Sequence, residues 1–253
     1  MEIKGQKKKG KTFVMGDIHG NYRGLLQCLE RSGFDKENDI LIQLGDIADG
    51  WPEVPECVDE LLTIKHLIPI RGNHDVWCYD WFNHGEQPIL WTEQGGKATI
   101  EAYIRTGKLK SPLHAAFWNN QLDWYEDEER RLFIHAGYAY RETYFPESAE
   151  LDVNAGSIAK ECHWDRTLLE GAASASKGGK DNEAIFNATS MFKEVYIGHT
   201  STRDSLPLQL CNVHDIDTGS GWYGKLTIMD IDTKEFWQSD FARDLYPEHK
   251  GRG

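Results

Sequence analysis

The sequence of 253 residues contains no long apolar stretch. No run approaches the roughly 18 apolar residues that a membrane-spanning helix needs, so we expect neither a membrane span nor a membrane partner. The basic stretch 1–11 is not followed by the apolar segment that is typical of secretory signals. We interpret residues 1–11 as a flexible basic tail, residues 12–245 as a single domain and residues 246–253 as a second flexible tail.

Positive charge is also scarce. Lys and Arg number 28 against 41 Asp and Glu, which gives a formal net charge of −13. A protein that binds duplex nucleic acid needs a basic face against the phosphate backbone, so this balance argues against duplex nucleic acid as a partner. A phosphorylated substrate is not excluded, because a bound metal supplies local positive charge that composition does not count.

Cysteine pairs with metal-binding or redox spacing are absent as well. The chain has five cysteines, an odd number, and no Cys-x-x-Cys. This usage is typical of free thiols in a reducing compartment, so we expect a cytoplasmic protein. Hydrophobic residues make up 40% of the sequence, which is enough for a sizeable core in one domain.

The first part of the chain alternates apolar runs with helical periodicity. Apolar runs at 13–15, 39–44 and 67–70 predict strands, and the spacing of apolar residues predicts helices over 21–31 and 54–62. This βαβαβ order predicts parallel strands with right-handed crossovers. Each of the three strands is followed by Gly and a residue that can bind a metal. Since open α/β sheets place their chemistry at the carboxyl ends of strands, we expect a site there.

Two later strands end in the same way. Apolar runs at 132–134 and 194–197 predict strands that are followed by His135 and His199, and further β segments are predicted over 208–238. Three intervening segments carry other signals. We predict a helix near 97–105, interpret the charged run 126–131 as a hairpin or strand edge, and interpret 171–182 as a loop of small residues without core-forming content.

Five predicted strand ends thus carry carboxylate, amide and imidazole side chains. They are Asp17 with His19, Asp46, Asn73 with His74, His135, and His199. This mixture suits a two-metal site, in which one carboxylate bridges two ions that activate a water and polarise a phosphoryl oxygen. Asp, Asn and His together suit Mn, Fe, Zn or similar ions better than Ca or Mg alone. Such chemistry requires no protein nucleophile.

The motifs at these strand ends form an ordered set. They are Gly16-Asp17-x-His19-Gly20, Gly45-Asp46-x-x-Asp49, Gly72-Asn73-His74, His135-Ala136-Gly137, Gly198-His199 and Asp217-Thr218-Gly219. In order and approximate spacing, the set resembles the phosphoprotein phosphatase branch of the calcineurin-like metallophosphoesterases. The resemblance implies an α/β fold, namely a four-layer α/β/β/α sandwich of two mixed sheets flanked by helices. It also implies two divalent metal ions, with Mn as the first choice and Fe, Zn, Ni or Co as alternatives.

The resemblance implies two groups of metal ligands that share Asp46. The first metal is held by Asp17, His19 and Asp46. The second metal is held by Asp46, Asn73, His135 and His199. Broader metallophosphoesterases, including nucleases that process DNA, often end in Gly-His-x-His. Here Ser201 stands at the place of the second histidine, which again resembles the phosphoprotein phosphatase branch.

The resemblance also implies a mechanism. A metal-bridging hydroxide attacks phosphorus directly, and His74 acts as the general acid that protonates the leaving oxygen. Asp49 orients His74, and a nearby carboxylate favours the charged imidazolium. Asn73 contributes to phosphate binding, and Arg166 resembles one of the phosphate-binding arginines of the family.

Some positions depart from the pattern of the protein phosphatases. Gly50 stands where those enzymes commonly have Arg, so a bidentate phosphate clamp is missing there. Asp75 stands where they usually have Glu, and Asp at this place is frequent in diadenosine tetraphosphate hydrolases. Trp51 and Trp164 are candidates to stack an adenine, which is worth ~1–3 kcal/mol per base, although most of the nine tryptophans are expected to fill core and rim.

These features leave alternatives open. The first hypothesis is a phosphatase that hydrolyses a phosphomonoester, such as phospho-Ser/Thr in a protein. The alternative is a symmetrical hydrolase of dinucleoside polyphosphates such as diadenosine tetraphosphate, which Asp75 and the tryptophans motivate. A third hypothesis is a non-catalytic metal-binding interaction protein, and His74 beside a complete ligand set argues against it.

Overall fold

The computed structural model describes residues 10–138, 162–190 and 192–252. Of the predicted basic tail 1–11, only Gly10 and Lys11 lie within the described residues. Among the described residues, every helix is too short or too polar to traverse a bilayer.

The first sheet contains the three predicted parallel strands. Its strands are β1 (Thr12–Met15), β2 (Ile40–Gln43), β3 (His66–Pro69), β9 (Thr227–Asp230) and β10 (Phe236–Gln238). Their order in space is β10-β9-β1-β2-β3. Strands β1, β2 and β3 pair in parallel, with Thr12 opposite Ile40, and β9 pairs antiparallel to β1, with Val14 opposite Met229. The sheet is therefore mixed, and the β1–β3 part carries the predicted βαβαβ order.

The second sheet is also mixed. Its strands are β4 (Trp124–Glu126), β5 (Arg131–Ile134), β6 (Glu194–Ile197), β7 (Leu208–Leu210) and β8 (Val213–Asp215). Their order in space is β4-β5-β6-β8-β7, with β5, β6 and β8 parallel and the two edge strands antiparallel. Because β4 and β5 are antiparallel neighbours, the hairpin interpretation of the charged run 126–131 is correct.

The two sheets pack face to face through alternate residues of their strands. In β1, Val14 contacts the other sheet, while Phe13 and Met15 point to the opposite face. From the second sheet, Phe133 and Tyr196 enter the shared core and stack with ring centroids 5.0 Å apart. Successive side chains of a strand point to opposite faces, so each strand feeds one core between the sheets and another outside them.

Helices cover both outer faces. Those against the first sheet are α1 (Tyr22–Ser32), α2 (Val54–Leu61), α3 (Asn73–His84), α4 (Ile89–Trp91), α5 (Lys97–Thr106) and α6 (Pro112–Asn119). Those against the second sheet are α7 (Thr167–Gly178) and α8 (Lys180–Thr189), and α9 (Ala242–Leu245) follows the last strand. The side chain of Asn21 caps α1 by accepting from the Gly24 N–H, and Gly33 ends it in a left-handed conformation. The four-layer α/β/β/α prediction is confirmed.

The interpretation of 171–182 as a loop is wrong. This stretch lies in α7 and α8, which meet at Gly179, where φ is 90°. Alanine has a high helix propensity, and Ala172 is fully buried against the second sheet. The glycines and serines of the stretch suggested a loop, but the helix buries its alanine face and exposes the small polar residues.

The segment 246–252, which we expected to be a flexible tail, packs onto the domain. Tyr246 is 1% exposed, and its ring stacks on Trp51 at a centroid distance of 5.1 Å. The Arg252 N–H donates to the Gly221 carbonyl at 3.0 Å. The packed chain therefore extends beyond residue 245, because an aromatic residue and a backbone hydrogen bond anchor the segment.

Candidate metal centre

The loops after β1 and β2 are joined by backbone hydrogen bonds. The N–H groups of Ile18 and His19 both donate to the Asp46 carbonyl, at 3.0 and 2.8 Å. His19 and Asp46 have φ values of 53°, and His199 has a φ of 69°. A left-handed conformation costs a non-glycine residue about 1–3 kcal/mol, and such strain clusters at functional sites. The fold therefore holds three predicted ligands in backbone conformations that they would otherwise avoid.

The first ligand group is compact and buried. His19 Nε2 lies 3.9 Å from Asp17 Oδ2 and 3.5 Å from Asp46 Oδ2. The three residues are at most 2% exposed. These distances suit donors that surround one ion between them, because each donor to such an ion sits about 2.0–2.2 Å from it.

The second ligand group lies on the other side of Asp46. His135 Nε2 is 3.4 Å from Asp46 Oδ1 and 3.1 Å from Asn73 Oδ1. His199 Nδ1 is 2.9 Å from the same Asn73 oxygen. Asp46 thus turns Oδ2 to the first group and Oδ1 to the second, which is the arrangement of a carboxylate that bridges two ions.

Backbone carbonyls orient two of the imidazoles. His19 Nδ1 lies 2.9 Å from the Ala48 carbonyl, and His135 Nδ1 lies 2.7 Å from the Leu44 carbonyl. A carbonyl oxygen only accepts, so each Nδ1 carries a proton, and Nε2 is the ring nitrogen that is turned to the cluster. The loops therefore fix both the position and the tautomer of these side chains.

Glycines in the motifs make room for the carboxylates. A Cβ at Gly72 would lie 2.1 Å from Asp46 Oδ1, and a Cβ at Gly198 would lie 2.1 Å from Asp17 Oδ1. Any other residue at either position would collide with a ligand atom. This close approach is the physical reason that Gly precedes the ligand at these two strand ends.

The electrostatics of the site suit the binding of cations. Burial, with the charges of Asp217 and Asp46, raises the pKa of Asp17 well above its ordinary value. Burial also lowers the pKa of His19 well below its ordinary value and, with the charge of His135, lowers the pKa of His199 to about 3. These two imidazoles are thus neutral and able to act as ligands. Against the effect of burial, the charge of Asp46 raises the pKa of His135, and the charge of His135 lowers the pKa of Asp46 well below its ordinary value.

The residues present fit two divalent ions. Two groups of donors, Asp17-His19-Asp46 and Asp46-His135-His199, each have ligand atoms within 4.8 Å of one another. The acidic cluster is buried, and burying carboxylates without compensation is costly. In the described part of the chain, no lysine or arginine forms a direct ion pair with these carboxylates. A pair of cations that share Asp46 would remove the cost of burying them.

His74 lies beside the cluster and is held by Asp49. The His74 Nδ1–H donates to Asp49 Oδ2 at 2.6 Å, and both side chains are fully buried. The ring of His74 is 5.0 Å from that of His19. Its Nε2 is buried and has no hydrogen-bond partner among the described residues. Nδ1 is thus anchored by Asp49, and Nε2 is available to bond a substrate atom.

Two residues that the sequence reading missed hold Asp49 in place. Thr99 Oγ1 donates to Asp49 Oδ1 at 2.7 Å, and Trp91 Nε1 donates to Asp49 Oδ2 at 2.8 Å. Both come from the helical region between β3 and β4. The Trp-rich composition of that region was visible in the sequence, but no motif connected either residue to Asp49.

Asp75 has a structural position. It is fully buried, and its carboxylate accepts hydrogen bonds from the N–H groups of Ile47, Ala48 and Gly72, and from Gln121 Nε2. Burial, with the charge of Asp46, raises the pKa of Asp75 to about 6. The side chain ties the loop after β2 to the start of α3.

The two tryptophans selected as stacking candidates lie in different environments. Trp51 is fully buried, donates from Nε1 to the Ser220 carbonyl and packs against Tyr246. It therefore cannot stack a base. Trp164 is 39% exposed and contacts Trp77 edge-on at a centroid distance of 6.2 Å.

Arg166 is exposed at the start of α7. Its charge contributes to the lowered pKa of His199, after burial and the charge of His135, whereas the charge of Asp46 acts in the opposite direction. The neighbouring Asp165 instead accepts from the Thr167 N–H and hydroxyl, at 2.7 and 2.6 Å. Among the described residues, no carboxylate forms an ion pair with Arg166, so its guanidinium is available next to the second ligand group.

Ser201 takes a role different from that of a metal-binding histidine. Its hydroxyl donates to Asp217 Oδ2 at 2.7 Å, and Asp217 Oδ1 accepts from the Gly219 N–H at 2.9 Å. The late Asp217-Thr218-Gly219 motif thus fixes the loop that carries His199.

Comparisons with known proteins agree with this geometry. A family model described as calcineurin-like phosphoesterase matches residues 10–168. Serine/threonine-protein phosphatase 1 of Salmonella typhimurium is 28% identical over 87% of this chain and 91% of its own length. A symmetrical bis(5'-nucleosyl)-tetraphosphatase of Pseudomonas entomophila is 24% identical over 93% of this chain and 96% of its own length.

A solved protein serine/threonine phosphatase from Saccharomyces cerevisiae matches with a TM-score of 0.59 at 13% identity, and the match covers 98% of this chain and 84% of that one. At that identity the likeness concerns the fold alone. The family match covers more than half of the chain and includes four of the five ligand-bearing strand ends. The chain therefore belongs to the calcineurin-like phosphoesterase family and is a hydrolase.

Proposed function

We propose that the protein is a metal-dependent phosphatase that hydrolyses phosphomonoesters, with phospho-Ser/Thr in proteins as the preferred class and Mn as the preferred ion. Asp17, His19 and Asp46 would hold one ion, and Asp46, Asn73, His135 and His199 the other. When bound, the two ions would activate a water and polarise the phosphoryl oxygens. This assignment rests on the donor atoms of the two groups, which meet at Asp46.

The hydrogen bonding of His74 is the observation that supports hydrolysis rather than metal binding alone. Asp49 anchors Nδ1 at 2.6 Å, and Nε2 is buried without a partner in the described part of the chain. A buried polar atom without a partner costs free energy, and a substrate oxygen bound beside the two groups would supply the partner for this one. We assign His74 to protonation of the leaving oxygen, a role in which a positioned acid contributes about 10²–10⁴-fold.

The environments of Asp75 and Trp51 support a phosphomonoester as the substrate. Asp75 and Trp51, which motivated the dinucleotide alternative, are both fully buried and bonded to backbone groups. They therefore offer no surface to a nucleobase. The exposed Arg166, whose charge acts on His199, supplies positive charge that suits a phosphoryl group.

One observation favours the dinucleotide alternative. Trp164 is 39% exposed, precedes Arg166 by two residues and could stack a base whose phosphate that arginine holds. The relative from Pseudomonas entomophila is named for such a substrate. A symmetrical dinucleoside polyphosphate hydrolase is therefore the second candidate.

A panel of substrates separates the candidates. We would measure kcat/KM on p-nitrophenyl phosphate, a phospho-Ser/Thr peptide and diadenosine tetraphosphate, with Mn supplied. We expect the two phosphomonoesters to be hydrolysed, and the tetraphosphate to be a poorer substrate. A preference of tenfold or more for the tetraphosphate would contradict the phosphomonoester proposal, and no hydrolysis of any of the three would contradict both.

Trp164 provides a control within the same panel. Trp164→Ala should weaken turnover of the tetraphosphate selectively if that ring stacks a base. Phe236→Ala is the matched variant, because Phe236 is 40% exposed on β10, outside the strand ends that carry the ligands. This variant should leave kcat/KM unchanged for all three substrates.

A further inference from the structure

The segment 246–252 brings an arginine to the first ligand group. The Nη1 atom of Arg252 lies 3.4 Å from His19 Nε2, the nitrogen that faces Asp17 and Asp46. Arg252 also contributes to the lowered pKa of His19, after burial. A guanidinium from a residue 233 positions away thus lies at the edge of the predicted metal site.

The stem of Arg252 lies in a channel formed by two glycines. A Cβ at Gly50 would lie 3.1 Å from Arg252 Cγ, and a Cβ at Gly221 would lie 2.9 Å from Arg252 Cδ. The guanidinium sits over the Trp222 ring, 4.8 Å from its centroid. A side chain at either glycine would crowd the stem of the arginine, and at Gly221 its Cβ would also lie 2.3 Å from His19 Cδ2.

The position of Arg252 bears on the absence of an arginine side chain at Gly50. The protein phosphatases that the motifs resemble commonly carry Arg at that place, and here the side chain is missing. The space beside Gly50 is filled by the stem of another arginine, which arrives from the segment 246–252. The loss of one guanidinium and the arrival of another therefore occur at the same point of the site.

Arg252 lacks a counter-ion in the described part of the chain. No carboxylate there lies within ion-pair distance of it, and its Nε is buried without a hydrogen-bond partner. Among the described residues, the guanidinium contacts the acceptor His19 Nε2 at 3.4 Å, and its Nε has no partner. Burying an unpaired donor is costly, and the planar set of guanidinium donors matches two oxygens of a phosphate, so an anion that enters from outside would supply the acceptor that the described carboxylates do not.

We propose that Arg252 binds the phosphoryl oxygens of the substrate and replaces the arginine that is missing at Gly50. This inference rests on the proposed function, since it places a phosphoryl group at the two ligand groups. Arg252 would hold the phosphate from the side of His19, and Arg166 would hold it from the side of His199.

The same geometry would also allow Arg252 to hinder metal binding at the first ligand group. A positive charge 3.4 Å from a ligand nitrogen also repels a cation there. The two readings predict opposite results when the arginine is removed. Loss of a phosphate ligand weakens anion binding, whereas loss of a block strengthens metal binding and raises turnover.

The test uses Arg252→Ala and Arg252→Lys in the full chain loaded with Mn. The measurements are the dissociation constant of inorganic phosphate by calorimetry, the bound metal by elemental analysis, and KM and kcat on p-nitrophenyl phosphate. For Arg252→Ala we expect the phosphate dissociation constant and KM to rise about tenfold or more, with both metals retained. Arg252→Lys should recover part of the loss, because a lysine supplies charge without the bidentate geometry.

Arg243→Ala is the matched control. Arg243 belongs to the neighbouring α9, and its side chain is 59% exposed and outside the site. Its removal should leave phosphate binding within twofold of the wild type, and a thermal melt of each variant checks that the fold is intact.

Three results would overturn the proposal. One is a phosphate dissociation constant within twofold of the wild type in both Arg252 variants. Another is tighter metal binding with faster turnover in Arg252→Ala, which would identify a block. The third is a metal-loaded wild type that does not bind phosphate. Phosphate binding is measured apart from turnover, so a protein that binds phosphate through Arg252 but hydrolyses no phosphomonoester would refute the proposed function alone.

Discussion

The predicted metal ligands and the predicted phosphate-binding residues lie side by side but are held in different ways. Asp17, His19 and Asp46 are buried, follow strand ends and are fixed by hydrogen bonds from neighbouring loops. Arg166 and Arg252 come from outside the two sheets, and neither forms an ion pair with a described carboxylate. The predicted ligands are thus positioned before anything binds, whereas the arginines are left without a carboxylate partner that would compete with a substrate.

This difference implies two kinds of functional loss. Changing a buried ligand should remove metal and activity together, because the backbone cannot adjust to replace a donor. Changing an arginine at the open side should weaken phosphate binding and leave the metal in place. Metal content is therefore the measurement that separates the two regions.

The largest effect is expected for Asp46→Asn. Asn retains an acceptor for the His74 N–H, which donates to Asp46 Oδ1 at 2.9 Å, but loses the negative charge shared by both groups. Both metals should be weakened, and turnover should fall by roughly 10³-fold or more, since the metals supply several kcal/mol of charge stabilisation. The measurement is elemental analysis beside kcat/KM.

Asp39→Asn is the control for the loss of a buried carboxylate. Asp39 accepts from the N–H groups of Lys11 and Asp35, at 2.8 and 2.9 Å, away from the site. It should lower stability without changing the metal content. Two fully occupied sites in Asp46→Asn would show that this carboxylate does not bridge.

A smaller loss is expected for His74→Asn, which marks the boundary between the two regions. His74 is as buried as the predicted ligands, yet its side chain belongs to neither of the two groups of possible metal ligands. Both metals should be retained while kcat falls about 10²–10³-fold, because only proton donation is removed. His66→Asn, an exposed histidine on β3, should have no effect. Turnover equal to the wild type on a small phosphomonoester would exclude His74 as the acid.

The clustering of the predicted ligands could be expected from the sequence because the fold brings strand ends together by a general rule. Parallel strands bring their carboxyl ends to one edge, so Asp17, Asp46 and Asn73 were expected to meet even though they are far apart in the chain. The glycines before them gave a second signal, and the close approach at Gly72 and Gly198 explains it. Periodicity also placed the strands and the first two helices correctly.

The remaining contacts could not be read in this way. Thr99 reaches Asp49 across 50 positions and Arg252 reaches His19 across 233, and neither pair follows a periodic or strand-end rule. The stretch 171–182 was misread because its glycines and serines are typical of loops, while its helices depend on burying Ala172 against the second sheet. Tertiary packing decides such cases, and local composition does not report it.

On the open side, Arg166→Ala should have a moderate effect. We expect KM and the phosphate dissociation constant to rise about 10–100-fold with the metal content unchanged, because a charge-assisted contact is worth roughly 1.5–3 kcal/mol. Lys177→Ala, at the other end of α7, is the control. If Arg166 and Arg252 hold one phosphate between them, the double variant should deviate from additivity. Loss of metal in Arg166→Ala would place it among the ligands.

The smallest effect is expected for Thr99→Val, which tests the support behind His74. Valine keeps the shape of the side chain but removes the hydroxyl, which donates to Asp49 Oδ1 at 2.7 Å and accepts from the Asp49 N–H at 2.9 Å. Asp49 keeps its contacts to Trp91 and His74, so kcat should fall by only about 3–10-fold, with metal content and phosphate binding unchanged. Thr106→Val in the same helix is the control, because that hydroxyl donates to the Ala102 carbonyl instead. A larger loss in Thr99→Val than in His74→Asn would show that Thr99 supports more of the site than the anchoring of this one histidine.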